Sequence, residues 1–179
     1  MSCDKIKIEI LISYAPKGGA ILDQSFIQTR EELISLLRHL NDYELNTATE
    51  LGGWTVAQVV DHLAVAEVNF LGLVENAMKQ KHIGHAEEKD FSILRDRSVK
   101  MKAQQEPSTV HRNAENCIQL LQNSRNATEA FLNENKYIER YVVSHPRFGD
   151  IPANSIFTLI AEHEQRHLEQ IEEILNAIK

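Results

Sequence analysis

Cysteine is nearly missing from this chain: Cys3 and Cys117 are the two among 179 residues. Two thiols so far apart build neither a disulfide framework nor a thiolate zinc site, and a reducing cytoplasm is the default compartment. Basic residues are also scarce, with 19 Lys and Arg against 26 Asp and Glu and a net charge of -7. That balance argues against nucleic acid, whose binding needs a basic face, and offers nothing to an anionic membrane surface. No apolar run approaches the roughly eighteen uninterrupted residues of a membrane span. The start, Met1 to Lys5, leads into a stretch too short and too charged for a signal peptide. Internal repeats and low-complexity tracts are lacking as well.

What is present is one domain's length of chain, enough to bury a core without cross-links. Lys5 to Ile10 alternates charged and apolar residues and reads as a short extended arm, closed by the turn Tyr14 to Gly19. The expected organisation is an arm over residues 1–22 and a helical domain over 23–179. The first helix is predicted from Asp23 or Ser25, with a stripe of Phe26, Arg30, Leu33, Leu37 and Leu40. Thr55 with Gln58 forms a capping box that opens a second helix running to about Lys79. Its apolar positions are Val59, Leu63, Ala66, Phe70, Leu73 and Ala77. From Gln80 to Pro107 the periodicity dissolves, with a short helical turn expected from Ser92. His82 and His85 lie in this stretch and read as solvated loop residues. A third helix is predicted from Ser108 or Thr109, with Cys117 as a small core residue on its stripe. Tyr141 to Ser144 is too short to found a sheet, and His145 to Asp150 is a turn. Four long amphipathic segments make an all-α four-helix bundle, whose core is a common place for a metal site.

The last segment, Ile151 to Ile178, carries the chemistry. Ile156, Ile160, Ile174 and Ile178 recur at helical steps, and His163 and His167 occupy inward steps of the same stripe, one turn apart. Inward imidazoles need partners for both nitrogens, which a metal ion, buried waters or carboxylates could supply. The string His163-Glu164-Gln165-Arg166-His167 matches the H-E-x-x-H of zinc peptidases, with Glu164 at the general-base position. Those enzymes take a third ligand downstream, yet neither histidine nor glycine follows here, so a third ligand must come from upstream. His62, beside Leu63, is the one upstream histidine inside a strong helical stripe.

Trp54, His62-Leu63 and Glu67, then His145-Pro146 with Gly149, then His163 and His167 leading to Gln170-Ile171 resemble the DinB-like superfamily. The resemblance runs from Trp54 to the C-terminus. It implies an up-down-down-up bundle, often homodimeric, holding a divalent metal through His62, His163 and His167. Three imidazoles leave a coordination position open, as catalytic zinc sites do, and suit zinc or nickel. The expected function is therefore a metal-dependent enzyme acting on a small molecule, activating water or a low-molecular-weight thiol, of hydrolase or S-transferase type. Glu164 is its candidate base, or a solvated acid; Arg166 and Asn69 are candidates to orient an anionic substrate. The other reading is a non-catalytic ligand-binding or stress-response module with a structural or vestigial histidine site.

Overall fold

The computed structural model describes residues 24–50, 53–99, 101–103 and 105–179. The proposed N-terminal arm lies outside the described residues. Helix α1 spans Gln24–Leu37, and Phe26, Leu33 and Leu37 are buried as its stripe predicts, with Leu40 beyond its end half-buried. A short helix α2, Asp42–Asn46, follows beyond the predicted stripe of the first helix. Its signal was Asn41 and Glu44, which form a reciprocal capping box. Helix α3 spans Val56–Lys79 and opens on the predicted Thr55–Gln58 box. Of the predicted stripe Val59, Leu63 and Ala77 are buried and Ala66, Phe70 and Leu73 half-buried, while Val56, Val60, Leu71 and Val74 are buried as well because α3 packs against two helices.

Helix α4, Ala114–Glu134, starts later than its sequence pattern suggested, because Asn113 is the residue whose side chain caps it. Residues 108–113 before it are held non-helical: the Ser108 amide donates to Asp61 Oδ2 and Arg112 Nη2 pairs with Asp61 Oδ1. Val110, seven residues before Cys117 and so in line with it had the helix begin at Ser108, is 61% exposed. Strands β1, Val142–His145, and β2, Gly149–Pro152, pair antiparallel with Val143 opposite Ile151. The segment judged too short for a sheet thus forms a hairpin, stabilised because Val143 and Ile151 are buried against the bundle. Gly149 has φ +69, a left-handed conformation that favours glycine at the hairpin turn. Pro152 ends β2, so the last helix, α5, runs Ser155–Ala177 instead of starting at the proline.

The direction of each helix follows from pairs of contacts. Phe26 meets Phe157 while Arg30 meets Glu164, so α1 and α5 run parallel. Arg30 reaches the Leu121 carbonyl while Arg125 reaches the Phe26 carbonyl, so α4 opposes α1. Asp61 pairs with Arg112 and Glu67 with Ser124 and Thr128, so α3 runs with α4. The result is the up-down-down-up four-helix bundle. By length and composition α3 also passes as a membrane span, with a mean hydropathy of 1.3 over its best window. From the sequence no such span is expected; in the fold half of that window is buried inside the bundle.

Two apolar clusters fill the bundle. One gathers Phe26, Val74, Ile156, Phe157 and Ile160 with the hairpin; the other gathers Leu33, Leu63, Cys117, Leu121 and Ile171. Cys117 is fully buried, and burial pushes its thiol up to about 11, which leaves it inert at neutral pH. Between the clusters lies a buried charge quartet, one member from each long helix. Arg30 Nη2 donates to Glu67 Oε2 at 2.7 Å and also to Glu164 Oε1. Arg125 Nε donates to Glu67 Oε1 at 2.8 Å and its Nη2 to Glu164 Oε1 at 3.1 Å. Ser124 and Thr128 hydroxyls add bonds to Glu67, and Arg125 lies over the Phe26 ring at 3.6 Å.

Burial alone would raise the Glu67 carboxyl, but the Arg125 and Arg30 charges and their hydrogen bonds outweigh it and hold it below the ordinary range. A carboxylate lowered on folding stabilises the fold above its unfolded value, near 4.5, and surrenders that stability as pH falls through the folded value. The urea midpoint of the native protein should therefore decline below that pH. Glu67→Gln should lose about 3–5 kcal/mol at pH 7, because two guanidinium groups keep one carboxylate. It should also show a shallower acid decline; equal slopes in both proteins would exclude Glu67 as the group responsible.

Candidate metal centre

Three histidines meet on the second face of the α3–α5 contact. His62 comes from the first half of α3; His163 and His167 come from α5, one turn apart and so on one side of it. His163 Nε2 lies 3.2 Å from His62 Nε2 and 3.2 Å from His167 Nε2. One ligand atom from each of the three falls within 4.8 Å of the others. His163 Nε2 can carry at most one proton, so hydrogen bonding cannot satisfy both contacts. Two nitrogens on a tetrahedral zinc, each about 2.0–2.1 Å from it, stand roughly 3.3 Å apart, which is the spacing seen here. The donor set fits a divalent cation.

Electrostatics keep the imidazoles neutral. Burial, then the neighbouring His167 and His62, places His163 well below the usual histidine value. Burial, followed by His62, brings His167 down to about 3. His62 is lowered by burial against the pull of Asp61 and Glu106. Neutral imidazole is the ligating form. His167 Nδ1 and Gln170 Oε1 are 2.7 Å apart; an Nδ1–H donated to this carbonyl leaves the Nε2 lone pair facing the other histidines.

Aromatic rings wall the cluster. Trp54, which opens the loop into α3, has its ring 4.9 Å from that of His62 and 6.4 Å, nearly parallel, from that of His167. Phe70, two turns along α3 from His62, meets His163 edge-on at 5.6 Å, and His145 of the hairpin lies 5.9 Å from Phe70. The His145 Nδ1 accepts the amides of Arg147 and Phe148, which ties the ring to its own turn. On the α5 side, Arg166 donates to the Leu94, Asp96 and Val99 carbonyls and straps residues 92–99 to the helix. That strap carries the short 3-10 turn Ser92–Arg95 that the sequence suggested.

A sequence model of the DinB superfamily matches residues 25–171. The chain belongs to the DinB superfamily. It is 28% identical to YuaE of Bacillus subtilis (strain 168), an uncharacterized protein, over 159 residues that span 86% of this chain and 97% of that one. A stretch of 38 residues is 55% identical to GK0616 of Geobacillus kaustophilus (strain HTA426), named as a candidate metal-dependent hydrolase, and covers 21% of each chain. Among solved structures, YfiT from Bacillus subtilis has the same fold, with a TM-score of 0.56 and 21% identity over 86% of this chain and 85% of that one. YfiT is described as a probable metal-dependent hydrolase with an unusual four-helix bundle topology.

The other residues singled out in the sequence fall elsewhere. Glu164 is neither solvated nor beside the histidine nitrogens: it is 1% exposed and belongs to the quartet with Arg30 and Arg125. One residue after His163, it is turned about 100° round the helix, toward α1 and α4. Arg166 is spent on backbone carbonyls and Asn69 is exposed. His82 and His85 are exposed loop residues. Sequence reasoning missed the quartet, although Arg30 and Glu67 stand in otherwise apolar faces and Arg125 adjoins one.

Trp54 is the only tryptophan of the chain, stacked on His167 and tilted against His62. Nickel or copper at the cluster should quench its fluorescence, saturating at about one ion per three-imidazole site. His62→Ala should abolish that quenching; an unaltered titration would remove the ion from this place.

Proposed function

We propose that this protein is a metal-dependent enzyme whose divalent cation, zinc or nickel, is held by His62, His163 and His167. The observation that carries the reading is the convergence of three neutral imidazole nitrogens, 3.2 Å apart across two pairs, on one point between α3 and α5. Four protein ligands would close a structural site, whereas three leave a position for a reactant. A cation bound there supplies Lewis acidity, lowering the pKa of water or of a thiol toward about neutrality. The reaction is either hydrolysis or transfer of a low-molecular-weight thiol to a small electrophile. The relatives named as candidate and probable metal-dependent hydrolases support the hydrolytic form. In this reading the protein works in the cytoplasm, as a homodimer, on a small molecule.

The chain's own groups have distinct tasks. Gln170 fixes the tautomer and ring plane of His167. Trp54 and Phe70 give the site apolar walls that thin the surrounding water and strengthen every electrostatic interaction inside. The quartet below, with Glu164 in it, holds the two ligand-bearing helices in register.

Elemental analysis of untagged protein dialysed after exposure to zinc should return about one ion per three-histidine site. His62→Ala and His163→Ala should each lose it while keeping helical circular dichroism. Retention in both variants would end the assignment. Gln170→Ala should keep the fold and weaken metal affinity by about 10–100-fold, the usual cost of removing an orienting partner. Unchanged affinity would show that Gln170 has no such role.

A further inference from the structure

A carboxylate stands at the edge of the histidine cluster that no zinc-peptidase pattern would have located. The Trp54 Nε1–H donates to Glu106 Oε2 at 3.2 Å, and the same indole ring lies 4.9 Å from the ring of His62. Two residues on, the Ser108 amide is bonded at 2.9 Å to Asp61, the neighbour of His62. Buried Pro107 lies between these two anchors. The loop is therefore fastened at Glu106 itself, to the indole just before α3, and again at Ser108, to Asp61 beside the first ligand. After burial and the neighbouring Asp61, the charge of Glu106 is the third influence on His62.

Most of the other acids near the ligands are committed. Asp61 is held by Ser108 and Arg112. Glu67 and Glu164 are locked in the quartet. Glu162 is held by both ends of the Arg95 guanidinium and Glu173 by Arg97. The Glu169 side chain has no hydrogen bond among the described residues and only lies in the field of the Arg95 and Arg166 charges. Glu106 is exposed, and among the described residues the indole N–H is its one hydrogen bond.

We propose that Glu106, not Glu164, is the proton acceptor for the molecule that occupies the open side of the three histidines. The assignment rests on the metal-site reading above and adds a catalytic residue to it. A water or thiol placed between the carboxylate and the histidines gives its proton to Glu106. The O–H or S–H bond breaks, and its electron pair stays on oxygen or sulfur, which attacks the electrophile. The proton then passes from Glu106 to the leaving group. The indole N–H aims the carboxylate and takes no part in the transfer.

The test uses zinc-loaded full-length protein and Glu106→Gln, which retains an oxygen to accept the Trp54 bond. Acetohydroxamic acid must shed a proton to bind a metal, whereas thiocyanate has none to shed. Isothermal calorimetry in two buffers of different ionisation enthalpy counts the protons released. With a built-in acceptor, native protein should release almost none on binding acetohydroxamic acid, and Glu106→Gln should release about one. The variant should also bind acetohydroxamic acid at least about tenfold more weakly, with thiocyanate affinity changed by less than about twofold. Equal proton counts in the two proteins, or failure of the acid to bind native protein, would overturn the proposal. Zinc analysed in the same samples separates the two readings. With zinc retained, such a result removes only the role of Glu106; without zinc in native protein, both readings fall.

Discussion

The buried quartet of Arg30, Glu67, Arg125 and Glu164 is the constraint on which the rest of this bundle depends. Each long helix contributes one charge, and the four sum to zero. Buried ion pairs return little net stability compared with apolar residues of the same volume, because desolvation consumes most of the Coulombic gain. Their effect is on the alternatives. An apolar stripe tolerates a slide of one turn, since one leucine replaces another. A slide of α5 by one turn, about 5.4 Å, would strip Glu164 of both guanidinium groups and leave charges buried without partners.

That register is also what the histidines need. Glu164 adjoins His163 on α5, and Glu67 lies five residues beyond His62 on α3. The contact that joins the carboxylates through shared arginines thus lies one layer from the contact that joins the imidazoles. Nitrogens 3.2 Å apart cannot survive a displacement of one turn. The two helices carry the imidazoles and the carboxylates on different faces of the same joint. Trp54, Gln170 and the Arg166 strap then refine positions that the quartet has already made coarse choices about.

Much of this could be read from the chain alone, for definable reasons. Helix α3 announced itself through Thr55 and Gln58, and the inward setting of His163 and His167 followed from their place among isoleucines. Both signals are local and repeat with the helical period. The hairpin was illegible because strands of four residues offer no period to detect, and it persists only through the burial of Val143 and Ile151. The start of α4 was misplaced because Asp61, far away in sequence, holds residues 108–112 out of the helix. Glu164 misled for a related reason. A familiar string drew attention to the residue beside the ligand, while rotation about the helix axis decides which neighbour that residue meets.

The same reasoning explains why the chemistry of this site divides between regular and irregular structure. Holding a cation requires groups fixed to within a few tenths of an ångström, and helices supply that through their packed cores. Moving a proton requires a group that solvent and substrate can reach, which a buried helical face cannot offer. Glu164, for all its resemblance to a base, is sealed between α1, α4 and α5. Glu106 lies on a loop with no periodic signal, yet its carboxylate accepts an indole N–H and two residues on Ser108 is bonded to Asp61. An exposed carboxylate anchored in this way combines reach with aim, and the sequence hides it because both anchors are formed across more than forty residues of intervening chain.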